Sequence, residues 1–166
     1  MIDTNDFVGV WALEEWSVTH KPSGYVAYPF DGNSEGHIIY TENGWVSATL
    51  METDRPPVPQ DRRHLFAARM QLAPPAGIQA PELTAEKQQK FDRLKELFCR
   101  SGMGYVAYCG PFTVNGDMVQ HHIKNSLIPQ WTGTVLERKY EFDGDLLTLS
   151  ATDGDFADKL VWKRTA

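Results

Sequence analysis

The sequence predicts a mainly-β protein, an up-and-down barrel or sandwich of eight antiparallel strands in one domain over residues 1–166. Three observations carry this. Short runs rich in Val, Ile, Tyr, Trp and Thr dominate the chain. Asn-Gly or Asp-Gly pairs punctuate them at 43–44, 115–116, 143–144 and 153–154. A chain of 166 residues also matches one domain with one sizeable core.

The elements follow in order. "VGVWALEEWSVTH" (8–20) reads as a long first strand and "KPSGYVAYPFDGNSEG" (21–36) as a loop. "HIIYTE" and "WVSATLME" form a hairpin about Asn43-Gly44, where both positions tolerate φ > 0. An insertion from about 53 to 103 then separates strands 3 and 4. It opens with "TDRPPVPQ", carries a short helix at 61–70 and a Pro-rich linker, and ends in a helix at about 84–100. In that second helix Phe91, Leu94, Leu97 and Phe98 share one face, with Gly102 as the stop. It serves either as a lid over a cavity or as a plain packing helix. The remaining strands are "YVAYCGPFTV", "MVQHHIKNSLI", "TVLERKYEF", "LLTLSAT" and "KLVWKR".

Charge and composition exclude several partners. A formal net charge of −6 with no basic run argues against nucleic acid and against an anionic membrane surface. No apolar stretch approaches the ~20 residues that span a bilayer, and the N-terminus lacks the pattern of a signal peptide. Cys99 and Cys109 have no CxxC spacing and read as free thiols, so a cytoplasmic protein is expected. "GMGYVA" (102–107) formally fits a dinucleotide-binding turn but follows a helix and precedes a strand, the reverse of the required order. His20, His37 and His64 lack ligand spacing. Neither a cofactor nor a metal is expected.

Strand parity locates the candidate chemistry. In "MVQHHIKNS", Val119 and Ile123 set the inner face, which makes His121 inward, His122 outward and Asn125 a continuation of the inner row. The two histidines therefore cannot share one metal. In "TVLERKYEF", Leu136, Tyr140 and Phe142 place Arg138 inward. An inward His and an inward Arg on consecutive strands are costly in a filled core unless paired. Either they form a polar knot, with Arg138 bonded to Glu15 or a loop carbonyl, or they line a hollow barrel and orient a ligand. In the second case His121 moves a proton or orients a hydroxyl, Arg138 holds an anionic oxygen and a Tyr or Glu15 supplies a complementary acid or base. Trp16, Tyr40, Trp45, Tyr105, Tyr108, Phe112 and Trp131 supply an aromatic lining, with hydroxyls at Tyr40 and Tyr108. Ligand contacts are expected at Tyr40, Tyr108, Trp131, Trp16 and Asn125.

"FVGVW", with Gly9-x-Trp11, and a last strand ending "VWKR" resemble the lipocalin arrangement, in which a base Trp packs under a late Arg or Lys. "GHIIYTENGWVSATLM" (36–51), "GYVAYCGPFTV" (104–114), "HHIKNSLIPQWTGT" (121–134), "RKYEFDGDLLTL" (138–149) and "LVWKR" (160–164) extend the likeness across most of the chain. The sequence is similar to the lipocalin-like domain family of small bacterial and fungal proteins. That resemblance implies an eight-stranded barrel around a pocket. The chain departs from shorter members in the 53–103 insertion and in Glu15, where a small polar residue is expected. Two functions from different classes are compatible with it. One is a cofactor-independent isomerase or cyclase of secondary metabolism, acting on a hydrophobic natural-product intermediate. The other is a non-catalytic carrier of a small hydrophobic ligand. A homodimer would form on the barrel's exposed faces or on the 84–100 helix.

Overall fold

A computed structural model describes residues 4–58 and 61–166. Residues 1–3, part of the N-terminus with no signal pattern, and 59–60, in the Pro-rich opening of the insertion, lie outside the described residues, as does the side chain of His64. By contact the chain divides into a barrel unit (1–53 and 105–166) and a helical unit (54–104).

The barrel's strands are β1 (Gly9–His20), β2 (Tyr25–Ala27), β3 (Ser34–Tyr40), β4 (Trp45–Glu52), β5 (Tyr105–Asn115), β6 (Met118–His122), β7 (Asn125–Ser126), β8 (Val135–Asp143), β9 (Leu146–Asp153) and β10 (Phe156–Arg164). All pairings are antiparallel, and β10 pairs back onto β1. Eight strands (β1, β3, β4, β5, β6, β8, β9, β10) thus close a ring, which leaves no long free sheet edge. The short β2 pairs only with the end of β1, and β7 only with β5. Because the expected 21–36 loop contains β2, the helical segment follows the fourth strand in chain order, not the third.

Turn chemistry sets the hairpins. β5–β6, β8–β9 and β9–β10 each turn through a two-residue Gly-Asp loop in which only the glycine has positive φ (62°, 56° and 54°). Glycine at the first loop position suits a type II′ turn, whose twist matches the flanking strands. The β3–β4 turn differs from expectation. Its loop runs from Thr41 to Gly44, and only Gly44 has positive φ (79°), so the Asn-Gly pair does not form a two-residue turn.

The inner residues alternate as the parity requires, and one end of the barrel is filled. Phe7 is fully buried, with its ring centroid 4.9–5.2 Å from those of Tyr40, Tyr140 and Phe142. Trp11 donates its indole N–H to the Phe7 carbonyl at 2.8 Å. Arg164 lies 3.9 Å over the Trp11 ring and donates to the carbonyls of Val8 and Asp6, both at 2.6 Å. The expected Trp–Arg closure is present at this base. Toward the other end Leu13, Trp16, Val106, Tyr108 and Leu160 pack on the core but are only half-buried.

Two irregularities reverse the parity reading. A register shift between Leu13 and Glu15 inserts an extra residue into β1. Regular alternation from Trp11 and Leu13 would turn Glu15 inward; the bulge leaves Glu14 and Glu15 exposed and brings Trp16 to the inner face. The second lies between β6 and β7. Phe112 pairs with His121 and Cys109 with Asn125, so five residues (121–125) oppose four (109–112). The expected continuous strand 118–128 is broken there, and Asn125 falls on the outer face with Cys109. This break depends on Gly110. A Cβ at that position would lie within 1.9 Å of the His122 carbonyl oxygen. Gly110→Ala is accordingly expected to destabilise the barrel by about 1–3 kcal/mol, read as a lower urea midpoint with unchanged slope. An unchanged midpoint would show that the bend can move without cost.

The helical unit has conventional ends. α1 (Arg62–Leu72) is capped by the Asp61 side chain, which accepts from the Arg63 N–H at 2.8 Å. α2 (Ala85–Met103) is capped by Thr84 and closes at Gly104, two residues beyond the expected stop. Phe91, Leu94, Leu97 and Phe98 are half-buried along one face of α2. Among the described residues, no helix is long and apolar enough to cross a membrane.

Candidate functional site

The site is built by three inner-face side chains from β3, β5 and β6, with β4 lying between the first two. Tyr40 closes β3, Tyr108 sits early in β5, and His121 lies in β6. His121 is completely buried, and both ring nitrogens are engaged. Tyr40 Oη lies 2.8 Å from Nε2 and Tyr108 Oη 3.0 Å from Nδ1. His122 points the other way and meets Thr113 Oγ1 at 3.0 Å on the outer surface. The inward–outward assignment of the two histidines holds.

Proton accounting fixes the direction of this chain. A neutral imidazole has one donor and one acceptor nitrogen. Burial, then the nearby Arg138 charge, then His122 push the His121 pKa down to about 3, so the ring is neutral at working pH. The Tyr40 hydroxyl is buried and, among the described residues, has no acceptor besides His121. Leaving its proton unpaired would be costly, so Tyr40 donates to Nε2. The ring hydrogen is then on Nδ1 and is donated to Tyr108 Oη. This assigns the tautomer from hydrogen-bond satisfaction. Tyr108 is left with an O–H directed away from the imidazole, free to donate to something else.

Burial raises both phenols: Tyr108 is pushed up to about 12, with Arg138 pulling in the opposite direction. Tyr40 is raised well above its ordinary value by burial and, next, by Tyr108, again opposed by Arg138. Both hydroxyls therefore stay protonated. The local charge belongs to Arg138, on the inner face of β8. Arg138 is half-buried and donates to its neighbour's carbonyl, Glu137 O, at 2.8 Å. Among the described residues it forms no ion pair.

Arg138 lines a cavity of about 680 Å³ together with Trp131, Ala151 and Asp158. The Tyr108 ring meets Trp131 edge-on, with centroids 6.0 Å apart. The cavity also reaches the outward-facing Glu137 and Lys139, because the β8–β9 ladder stops at the Lys139–Ser150 pair. Beyond that pair the wall between the two strands is unzipped. Trp16 stands on the inner face and donates to Asp158 Oδ1 at 3.4 Å.

The structure thus brings together His121, Tyr40, Tyr108, Arg138 and Trp131, with Trp16 reaching the same cavity through Asp158. It does not bring in Glu15, whose carboxylate accepts from Ser17 Oγ at 3.0 Å and lies 3.9 Å from Lys159 Nζ on the outer surface. Asn125 is also outside, its amide directed at Cys109 Sγ at 3.7 Å. Trp45 and Tyr105 face outward as well, on the strand positions opposite to the inner row. Nor does Arg138 bond to Glu15 or to a loop carbonyl; it donates to the carbonyl of Glu137, its neighbour within β8. Asp158 is the inner carboxylate that the sequence reading missed. The signal is in the sequence, since Asp158 shares parity with Leu160 and Trp162, but the strand expected from Lys159 begins three residues earlier, at Phe156. Among the described residues, no group of three His, Cys, Asp or Glu side chains is placed to hold a metal ion.

A model of the lipocalin-like domain family matches the chain over residues 8–74 and 66–165. No curated protein sequence matches it. Among solved structures, Echinococcus granulosus fatty-acid-binding protein 1 is 12% identical with a TM-score of 0.40, over 98% of this chain and 99% of that one. The fluorescent protein UnaG, wild type, is 11% identical with a TM-score of 0.39, over 98% of this chain and 100% of that one.

Proposed function

The chain belongs to the lipocalin-like domain family, and from that premise we propose that its barrel binds an apolar small molecule carrying an anionic or carbonyl oxygen. One observation carries this reading: the Tyr40–His121–Tyr108 chain ends in a hydroxyl proton that has no acceptor among the described residues, within electrostatic reach of an Arg138 that has no carboxylate partner among them. Two half-buried donors of this kind suit one oxygen on a ligand. The aromatic faces of Trp131 and Tyr108 and the apolar side chains of Leu13 and Leu160 suit its hydrocarbon part. The cavity of about 680 Å³ lined by Arg138, Trp131, Ala151 and Asp158 is of the size that small-molecule sites use, and Tyr108 adjoins it through its contact with Trp131. With two free thiols, Cys99 exposed and Cys109 half-buried, a reducing, cytoplasmic setting fits the same reading.

Calorimetric titration with dodecanoate tests it. Wild type is expected to bind with a Kd below about 100 μM, and Tyr108→Phe to weaken binding about 5–10-fold by removing the donated proton. No binding by the wild type at about 1 mM dodecanoate would sink the reading.

A second reading, a cofactor-independent isomerase or cyclase, draws on the same O–H donor. Tyr108 and Arg138 would polarise a carbonyl while the cavity holds a flexible substrate in one reactive conformer. His121 would act through Tyr108 and not as a base, since neither ring nitrogen is open. Metabolite profiles of the native host with wild type, without the protein and with Tyr108→Phe decide it. A defined product that vanishes without the protein and is not restored by the variant supports catalysis. An unchanged profile leaves the carrier.

A further inference from the structure

The inner face opposite Arg138 holds a second charge that the proposed ligand does not yet use. Ala151 pairs with Asp158 across β9 and β10. Continuing the β8–β9 register by one step past Lys139–Ser150 would set Arg138 opposite Ala151. The ladder stops short of that pair, but Arg138, Ala151 and Asp158 are inner-face positions of β8, β9 and β10 that line the same cavity, with the smallest side chain on the middle strand. Opposite charges so placed would ordinarily neutralise each other, yet no ion pair joins them. Among the described residues each has one modest partner: a main-chain carbonyl at 2.8 Å for Arg138 and the Trp16 indole at 3.4 Å for Asp158. A half-buried carboxylate with a single long bond retains most of its accepting capacity.

We infer that Asp158 is a second ligand anchor, and that the ligand carries, a few bonds from its anionic or carbonyl oxygen, a hydroxyl or protonated amine that bridges to Asp158 across Ala151. This rests on the binding proposed above and narrows its ligand class to molecules with an acceptor and a donor at one end of an apolar body. Ala151 provides the space: a larger residue there would occupy the path between the anchors. The Trp16 bond holds the carboxylate in place from the side.

Three probes test the assignment by calorimetry: dodecanoate, 3-hydroxydodecanoate and 3-aminododecanoate. The wild type is expected to bind both substituted chains at least about fivefold more tightly than dodecanoate. Asp158→Leu should abolish both gains, while binding dodecanoate more tightly because a like charge is gone. Asp158→Asn preserves shape and an acceptor oxygen and serves if the leucine variant does not fold. It should keep the gain from the hydroxyl and lose that from the amine. Equal affinity of the wild type for all three probes overturns the inference, as does a gain that survives in Asp158→Leu or an amine gain that survives in Asp158→Asn. If dodecanoate binds in an Arg138-dependent way but the substituents add nothing, the second anchor alone falls. If no probe binds, the binding reading falls and takes the anchor with it.

Discussion

Replacing His121 with leucine is expected to lower folding stability by about 2–4 kcal/mol at pH 8, the largest effect of any single change at the site. Leucine fills a comparable volume, so the loss comes from hydrogen bonds rather than a cavity. The buried Tyr40 hydroxyl would lose its acceptor, and Tyr108 would lose the Nδ1–H that orients it. Each buried polar group left unpaired costs about 1–3 kcal/mol. The effect also depends on pH in a way that identifies its cause. In the folded protein His121 has a pKa of about 3, while in the unfolded chain it titrates near 6.5. As pH falls below 6.5 the unfolded state takes up a proton that the folded state refuses. Wild-type stability from this residue is therefore intact above about pH 6.5 and declines toward pH 3, by on the order of 5 kcal/mol in full. The leucine variant lacks this loss. Urea unfolding of both proteins from pH 8 to pH 4 should show the gap between them closing as the pH falls. A gap independent of pH would mean that His121 does not remain neutral on folding.

The largest effect on binding is expected from Arg138→Gln: a loss of about 10–100-fold in dodecanoate affinity with stability changed by less than about 0.5 kcal/mol. A hydrogen bond to a charged group contributes about 1.5–3 kcal/mol. Among the described residues the guanidinium holds no carboxylate, and its one bond, to Glu137 O, comes from a half-buried side chain. Little folding energy is therefore at risk. Calorimetry with parallel urea unfolding separates the two quantities. If stability falls while affinity does not, Arg138 is a structural cation, and the polar-knot alternative is the better description.

The barrel was legible in the sequence because its signals are local. Alternation in β8 and β10 and glycines at hairpin turns each report on a few neighbouring residues, while the Trp11–Arg164 pair, from opposite ends of the chain, was legible only through the lipocalin resemblance. His121 and Arg138 were placed on the correct face by that alternation alone. The failures share one cause. A bulge shifts parity by one residue without leaving a mark in the hydrophobic pattern, and it did so at Glu15 and again at Asn125. Gly110 was the one hint for the second bulge, since glycine inside a strand often admits close backbone approach. The Tyr40–His121–Tyr108 chain could be suspected only in part. Its residues are far apart in sequence, and the engagement of both imidazole nitrogens depends on barrel closure. That engagement changes the chemistry. A histidine first read as a proton-transfer group is one whose work is to aim the Tyr108 hydroxyl.

Nuclear magnetic resonance of the His121 ring, in protein labelled with nitrogen-15 at histidine and assigned with the leucine variant, tests the central claim most directly. The account predicts a neutral ring with its hydrogen on Nδ1, unchanged from pH 8 to pH 5, whose Nδ1–H resonance shifts when dodecanoate is added. A hydrogen on Nε2, titration near pH 6.5, or a resonance indifferent to saturating dodecanoate would contradict it.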